Sequence, residues 1–308
     1  GKMERTFDNM RTEYAWYVAL DATHHYLGNL PSMKEKMYDL GIIIIPKTHI
    51  EQLMQVDIIK QMKRVCKKIG FMQEGPHWYF QDYPLNQQIW FVNTLMEMDV
   101  IFAHNEIDVE YYKGLTGKEN VFQNKSLMIE DSIKPTTKSE DRSGVIIGGN
   151  MVRWYGGFDS YVVAQEFKED IFAPSMGRKI VNEEQIPDLT HLDYMYWLEW
   201  VNNLSRFKYA VHLMPTHAAG TFALNCAYHG IPCIGYKGLD TQELCFPQLS
   251  VEMGDVETAV QLARKLEEDK TFYGFISNKA KTNYNSVFGE KHYIYTMKEI
   301  IKEVTTNE

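Results

Sequence analysis

MPTHAAGTFALNCAYHGIPCIGY, from Met214 to Tyr236, decides the reading of this 308-residue chain. The run Tyr209–Met214 has the apolar character of a buried strand. A turn of small residues, Ala218-Ala219-Gly220, leads into a helical stretch over Ala218–His229. Gly230 stops that helix, and Pro232 stands at the start of a second apolar run, Ile231–Tyr236. Strand, turn, helix and strand in this order form a βαβ crossover, the unit of a parallel sheet. The turn places Gly220 and Thr221 at a helix N-terminus, where free N–H groups and the positive end of the helix dipole favour a phosphate. Thr216, in the same loop, is a further candidate for that site. A plain crossover with a glycine-rich start has the same pattern, and the residues alone leave both readings open.

Outward from this segment the alternation continues. Toward the C-terminus, Asp255 caps a helix to Glu267, and helices follow near Thr271–Asn285 and Lys291–Val304. Toward the N-terminus, strands are expected at Gly144–Gly148 and Ile171–Pro174, with helices over Phe158–Lys168 and Leu192–Leu204. A polar stretch, EDSIKPTTKSEDRS at Glu130–Ser143, reads as a linker. Before it the alternation repeats: helix Asn9–Ala22, strand Gly41–Ile45, helix Ile50–Lys68, strand Ile69–Met72, a helix opened by Pro84 and running to Met96, strand Asp99–Ala103, then a helix capped by Asn105 that stops near Gly114 or Gly117. A doubly wound domain should open with a strand, so either Lys2–Phe7 supplies a short one or the numbering begins after it. The expected class is α/β, with two Rossmann-like domains facing a cleft: residues 1–135, residues 136–285, and a C-terminal helix over 286–308 packing back across the joint. Ligands of such sheets bind beyond the carboxyl ends of the strands, so the loops there carry the candidates.

Composition narrows the function classes. Hydrophobic residues make up 44% of the chain and charged residues 24%, an ordinary globular mixture. The formal net charge is -9 with Lys and Arg scattered, which argues against a nucleic-acid partner without excluding one. The densest basic run, Lys63–Lys68, reads as one solvated helix face. None of the four cysteines forms a C-x-x-C pair, so neither a zinc knuckle nor a redox motif is indicated; they read as buried small hydrophobes in a reducing compartment. There is no apolar run of about 20 residues and no signal core in GKMERTFDNMR, so a cytoplasmic protein with no transmembrane segment is expected.

The 214–236 segment resembles the donor-binding motif of GT-B glycosyltransferases, especially the GT4-like group. That motif has an acidic residue three positions before a glycine, a second acidic residue eight positions after the first, then Gly-x-Pro. Gly220 and Gly230-Ile231-Pro232 match; the acidic positions hold His217 and Asn225 instead. The resemblance implies His217 beside the transferred sugar and Asn225 on the ribose hydroxyls. A second segment, GVIIGGNMVRWYGG at Gly144–Gly157, resembles the opening of the GT-B C-terminal domain. It implies that Gly148, Gly149 and Arg153 meet the donor diphosphate, with Lys179 of SMGRK as a second cation. The implied activity is metal-independent transfer of a sugar from a UDP- or GDP-linked donor to the hydroxyl of a glycan, lipid or other acceptor. The nucleotide sugar is a substrate, and no separate cofactor is expected. Related readings are a sugar-nucleotide 2-epimerase, a phage-type DNA-base glucosyltransferase, or a catalytically inactive GT-B domain.

The N-terminal half is expected to bind the acceptor. Glu74 and His77 follow one strand, and His104, Asn105 and Glu106 follow the next. Glu74 or His104 could act as a general base on an acceptor hydroxyl. Trp78-Tyr79-Phe80 offers either a stacking platform or an apolar plug under its loop. Tyr194, Trp197 and Val201 read as a core stripe. Asp108-Val109-Glu110, within a helix, reads as a solvated face and not as a metal site.

Overall fold

A computed structural model describes residues 17–307. Most of the expected Asn9–Ala22 helix, and all of Lys2–Phe7, lie outside them. The chain forms two compact units, one of residues 17–125 with 293–307, the other of residues 126–292.

The first unit holds a four-stranded parallel sheet in the order β1-β2-β3-β4: Tyr38–Ile43, Cys66–Met72, Val100–Ala103 and Val121–Gln123. Strand β4, Val-Phe-Gln, is short and ends in a polar residue, so no apolar run marks it in sequence. The single helix expected over Ile50–Lys68 is two, Ile50–Gln55 and Ile58–Val65. Asp57 divides them: its backbone is left-handed at φ 47°, and its carboxylate caps the second helix by accepting from the Lys60 N–H. Because β2 starts at Cys66, Lys67 and Lys68 belong to a strand, not to a solvated helix face. Lys67 pairs with Asp39 on β1, and Lys68 Nζ donates to the Val304 carbonyl at 2.8 Å. The helix Leu85–Met96 follows Pro84 as expected, and Glu106–Thr116 ends at Gly117 in the left-handed conformation. The last helix, Glu290–Thr306, buries Tyr293, Met297 and Val304, and the Tyr293 hydroxyl donates to Asn124 Oδ1 at 2.8 Å beyond β4.

The second unit holds six parallel strands in the order β10-β9-β8-β5-β6-β7. They span Val145–Ile147 (β5), Ile171–Ala173 (β6), Leu189–His191 (β7), Tyr209–His212 (β8), Cys233–Tyr236 (β9) and Ser250–Val251 (β10). The strands at its centre, β5 and β8, are wholly buried and, apart from His212, apolar, as a sheet covered on both faces requires. The polar stretch 130–143 is bonded within this unit. Thr136 N–H donates to Ser205 Oγ, and the Arg142 guanidinium donates to the carbonyls of Ser205 and His229. Its polarity satisfies carbonyls at two helix C-termini, a use that composition cannot distinguish from a linker. The helix expected from Leu192 begins only at Trp197. Val201 is core, Trp197 packs against the core, and Tyr194 stands 69% exposed before the helix, so the stripe holds for two of its three members. All four cysteines are buried and unpaired with one another. No described helix is long and apolar enough to cross a membrane.

Candidate functional site

The chain lays down β5, β6 and β7 in one direction across the second sheet, then returns to place β8 on the other side of β5. The loops leaving β5 and β8 therefore diverge, and a crevice opens at the carboxyl ends of these two strands. The two segments singled out in the sequence are these loops. Close backbone approach explains their glycines. A Cβ on Gly156 would lie 2.0 Å from the Leu213 carbonyl oxygen, and one on Gly157 1.9 Å from that of Asn150. Thr216, buried, ties the loops together by donating from its hydroxyl to the Trp154 carbonyl at 2.9 Å.

A cavity of about 220 Å³ sits at this switch point. Its walls come from the carboxyl-end loops of four neighbouring strands: Gly148 after β5, Ser175 after β6, Asp193 after β7, and Thr221 and Asn225 beyond β8. The helix Thr221–His229 starts at this wall, and its N-cap Gly220 supplies no side-chain cap to the first-turn N–H groups. Asn225 is 3% exposed, and its Oδ1 has no hydrogen-bond partner. A buried carbonyl oxygen left unpaired costs about 1–3 kcal/mol, which makes the Asn225 amide, at the cavity wall, a candidate partner for a ligand donor.

A second polar group gathers at the carboxyl ends of β2, β3 and β4 in the first unit. Gln73, His104 and Asn124 are the residues immediately after these strands, and all three are buried. The Gln73 side-chain oxygen accepts from the His104 N–H at 3.1 Å, and Gln123 Nε2 donates to the His104 carbonyl at 2.9 Å. Burial pushes the His104 imidazole down to about 4, so it is neutral, and its Nδ1 has no partner. In the same unit His77 Nδ1 lies 2.8 Å from Asp108 Oδ1. Asp108 has no exposed surface, and its other oxygen accepts from Asn105 Nδ2 at 3.2 Å. The His77 ring also packs on Tyr111 at 4.1 Å between centroids. A carboxylate that accepts from Nδ1–H favours the tautomer whose Nε2 carries the lone pair, an arrangement that suits a general base.

No protein-family model and no curated protein matches the sequence. Solved structures do match the fold. HepE of Anabaena in complex with UDP and glucose superposes with a TM-score of 0.66 at 11% identity, over 85% of this chain and 78% of that one. Sucrose-phosphate synthase of Thermosynechococcus elongatus gives 0.68 at 12% identity, over 87% and 74%. An α-glucosyltransferase bound to UDP and a 13-mer DNA containing an HMU base gives 0.62 at 14% identity, over 86% and 80%. The chain has the GT-B glycosyltransferase fold.

Within the GT-B frame, the residues expected at the donor site divide into two groups. Gly148, Thr221 and Asn225 line the switch-point cavity. Arg153 and Lys179 stand exposed on loops that are stitched together: Arg178 packs over the Trp154 ring, and Asn150 Nδ2 donates to the Arg178 carbonyl. Glu183, buried, braces the same loops by accepting from the Met151 and Ile180 N–H groups. Gly149 is a packing glycine whose Cβ would meet Tyr155. Gly220 is needed by the backbone, at φ +69° with a Cβ aimed at Thr241 Oγ1, so its missing side chain faces the interior and not an approaching phosphate. His217 is half-buried with its ring against Gly238 and its Nε2 unpartnered. Glu74 is half-buried after β2.

In the GT-B N-terminal half one expectation changes and one open alternative is decided. Asp108 is not on a solvated face: helical spacing turns it inward toward His77 while Glu110 stays exposed. Of the two readings of Trp78-Tyr79-Phe80, Phe80 is an apolar plug, its ring buried and stacked on Phe91 at 3.9 Å. The His77–Asp108 pair was the feature hardest to see in sequence, since its members stand 31 residues apart.

Proposed function

We propose that the chain transfers a sugar from a nucleoside-diphosphate sugar to an acceptor hydroxyl, with no resident metal. The buried, unpaired Asn225 oxygen in the switch-point cavity carries this reading. It offers an acceptor to a ribose hydroxyl, beside the uncapped start of the Thr221–His229 helix, which offers N–H groups to a phosphate. The cavity is smaller than the roughly 300–1,000 Å³ of a pocket that encloses a whole ligand. It suits the nucleoside and first phosphate, with the remainder reaching toward the cation-bearing loops.

In the reaction, the acceptor oxygen bonds to the anomeric carbon as the bond from that carbon to the diphosphate oxygen breaks. The acceptor proton passes to His77 Nε2, and Asp108 stabilises the imidazolium that forms. Arg153 and Lys179 counter the charge that develops on the departing diphosphate, and this is why no metal is invoked. A histidine paired with a carboxylate, able to take a proton from an acceptor hydroxyl, favours transfer over 2-epimerisation, which needs no acceptor.

HepE was solved with UDP and glucose and the α-glucosyltransferase with UDP, which supports UDP as the first donor nucleotide to try. A thermal-shift panel of UDP, GDP, ADP and CMP tests the assignment. Selective stabilisation by UDP is expected. No shift with any nucleoside diphosphate would remove the donor site. Product analysis with glycan, lipid and DNA acceptors then names the acceptor class. Retardation of DNA that weakens steeply with salt would favour the nucleic-acid acceptor despite the net charge of -9.

A further inference from the structure

The helix Leu85–Met96, LNQQIWFVNTLM, has no charged residue in twelve. One side is core: Phe91 and Leu95 are buried, and Trp90 packs against the same cluster. The opposite side is also apolar. Leu85 is 71% exposed, Ile89 52%, Val92 37% and Met96 48%. A helix that is apolar on both sides is covered on both sides in a stable protein. Exposed apolar residues extend onto its neighbours, with Val56 after the helix Ile50–Gln55, and Ile107 and Leu115 on Glu106–Thr116.

We propose that this face is the dimer interface of the protein, covered by the same helix of a second copy running antiparallel. The spacing of the stripe reads the same from either end: four, three and four residues. A two-fold axis between Ile89 and Val92 therefore sets Leu85 against Met96 of the second copy and Ile89 against its Val92, the self-complementarity that a C₂ interface requires. The self-complementary spacing selects a second copy as the occupant; the helix brings no charge of its own into the contact, and the long-range repulsion of two molecules at -9 makes the association strengthen with salt. A lipid surface is the poorer partner, because the helix carries no Lys or Arg for headgroups. A helix of twelve residues is about 18 Å long, and alone it covers less than the roughly 800 Å² per partner of a standard interface. The flanking Val56, Ile107 and Leu115 enlarge the area that a second copy would cover.

Sedimentation of the full chain from about 1 to 200 μM should show a reversible monomer–dimer equilibrium. Ile89→Lys with Val92→Lys should remain monomeric throughout, with an unchanged far-UV spectrum and an unchanged nucleotide-induced thermal shift. For geometry, the buried native cysteines leave the surface free for engineered ones. Leu85→Cys mixed with Met96→Cys should form a disulfide-linked dimer, and Leu85→Cys alone should not, since antiparallel helices hold the two copies of position 85 roughly 16 Å apart. A wild type that is monomeric across the range overturns the proposal, as does a double variant that dimerises like wild type. Monomeric wild type that floats with neutral phosphatidylcholine vesicles while the double variant does not would assign the face to a membrane instead.

Discussion

Asp108, with no exposed surface, holds His77 Nδ1 at 2.8 Å, while the His77 ring keeps about a quarter of its side-chain surface open. The buried partner fixes the ring, and the exposed edge is left for chemistry. If His77 takes the acceptor proton, His77→Ala should lower kcat by about 10²–10⁴-fold with little change in donor affinity. Asp108→Asn keeps the shape but can donate to Nδ1, which reverses the tautomer. It should lose a comparable factor while the chain stays folded. Turnover within a few-fold of wild type for either variant removes the pair from the mechanism.

Three buried histidines make folding sensitive to mild acid. Burial pushes His104, His212 and His229 down to about 4 from an ordinary value near 6.5. Between these values the unfolded chain takes up protons that the folded chain refuses. Their contribution is therefore complete above pH 6.5 and declines as the pH falls toward 4, by up to about 1.4 kcal/mol per pH unit for each histidine. Urea midpoints should be clearly lower at pH 5.0 than at pH 7.5. Equal midpoints would mean that these rings are not neutral and enclosed.

The two crossovers were readable because each element is long enough to show its pattern and each junction carries its own punctuation: Gly117, Gly230 and Pro84 all mark the boundaries they were expected to mark. Strands β4 (Val-Phe-Gln), β7 (Leu-Thr-His) and β10 (Ser-Val) are short and broken by polar residues, whereas the equally short β5 (Val-Ile-Ile) and β6 (Ile-Phe-Ala) are unbroken apolar runs and stand out. The Asp57 break was hidden because the apolar spacing of Leu53, Ile59 and Met62 continues through it. At the site, the βαβ turn pointed to Thr221, because it fixes where the helix begins, and the resemblance to the GT-B donor motif pointed to Asn225. The His77–Asp108 contact joins a loop after β2 to a helix after β3, and nothing local announces it. One sign was present: Asp108 and Glu110, two apart on a helix, point to different sides and could not share one solvated face.

Glycine substitutions separate the scaffold of the donor loops from their chemistry. Gly156 has φ +68°, and a Cβ there would meet the Leu213 backbone. Gly156→Ala should cost about 3 kcal/mol or more and lower the denaturation midpoint with or without nucleotide. Gly177, on the neighbouring loop, has nothing within 4 Å of its would-be Cβ. Gly177→Ala should stay within about 0.5 kcal/mol of wild type. Equal effects at the two positions would contradict the packing of the β5 loop against Leu213.

Asn225 gives the sharpest test of the donor site, because its two possible roles predict opposite signs. As a core residue its side chain would contribute stability, and an apolar replacement would lower the melting temperature. As a binding residue its unpaired Oδ1 is a cost carried by the free protein and recovered when a ribose hydroxyl donates to it. Asn225→Leu, of similar size, should then leave the melting temperature of the free protein unchanged or raised. The same variant should bind the nucleotide about 10–100-fold more weakly, the range of one to two neutral hydrogen bonds at about 1.4 kcal/mol per tenfold. Titration calorimetry with UDP, alongside thermal melts without it, reads both quantities. A lowered melting temperature with intact UDP affinity would make Asn225 a structural residue and leave the switch-point cavity without its ribose contact.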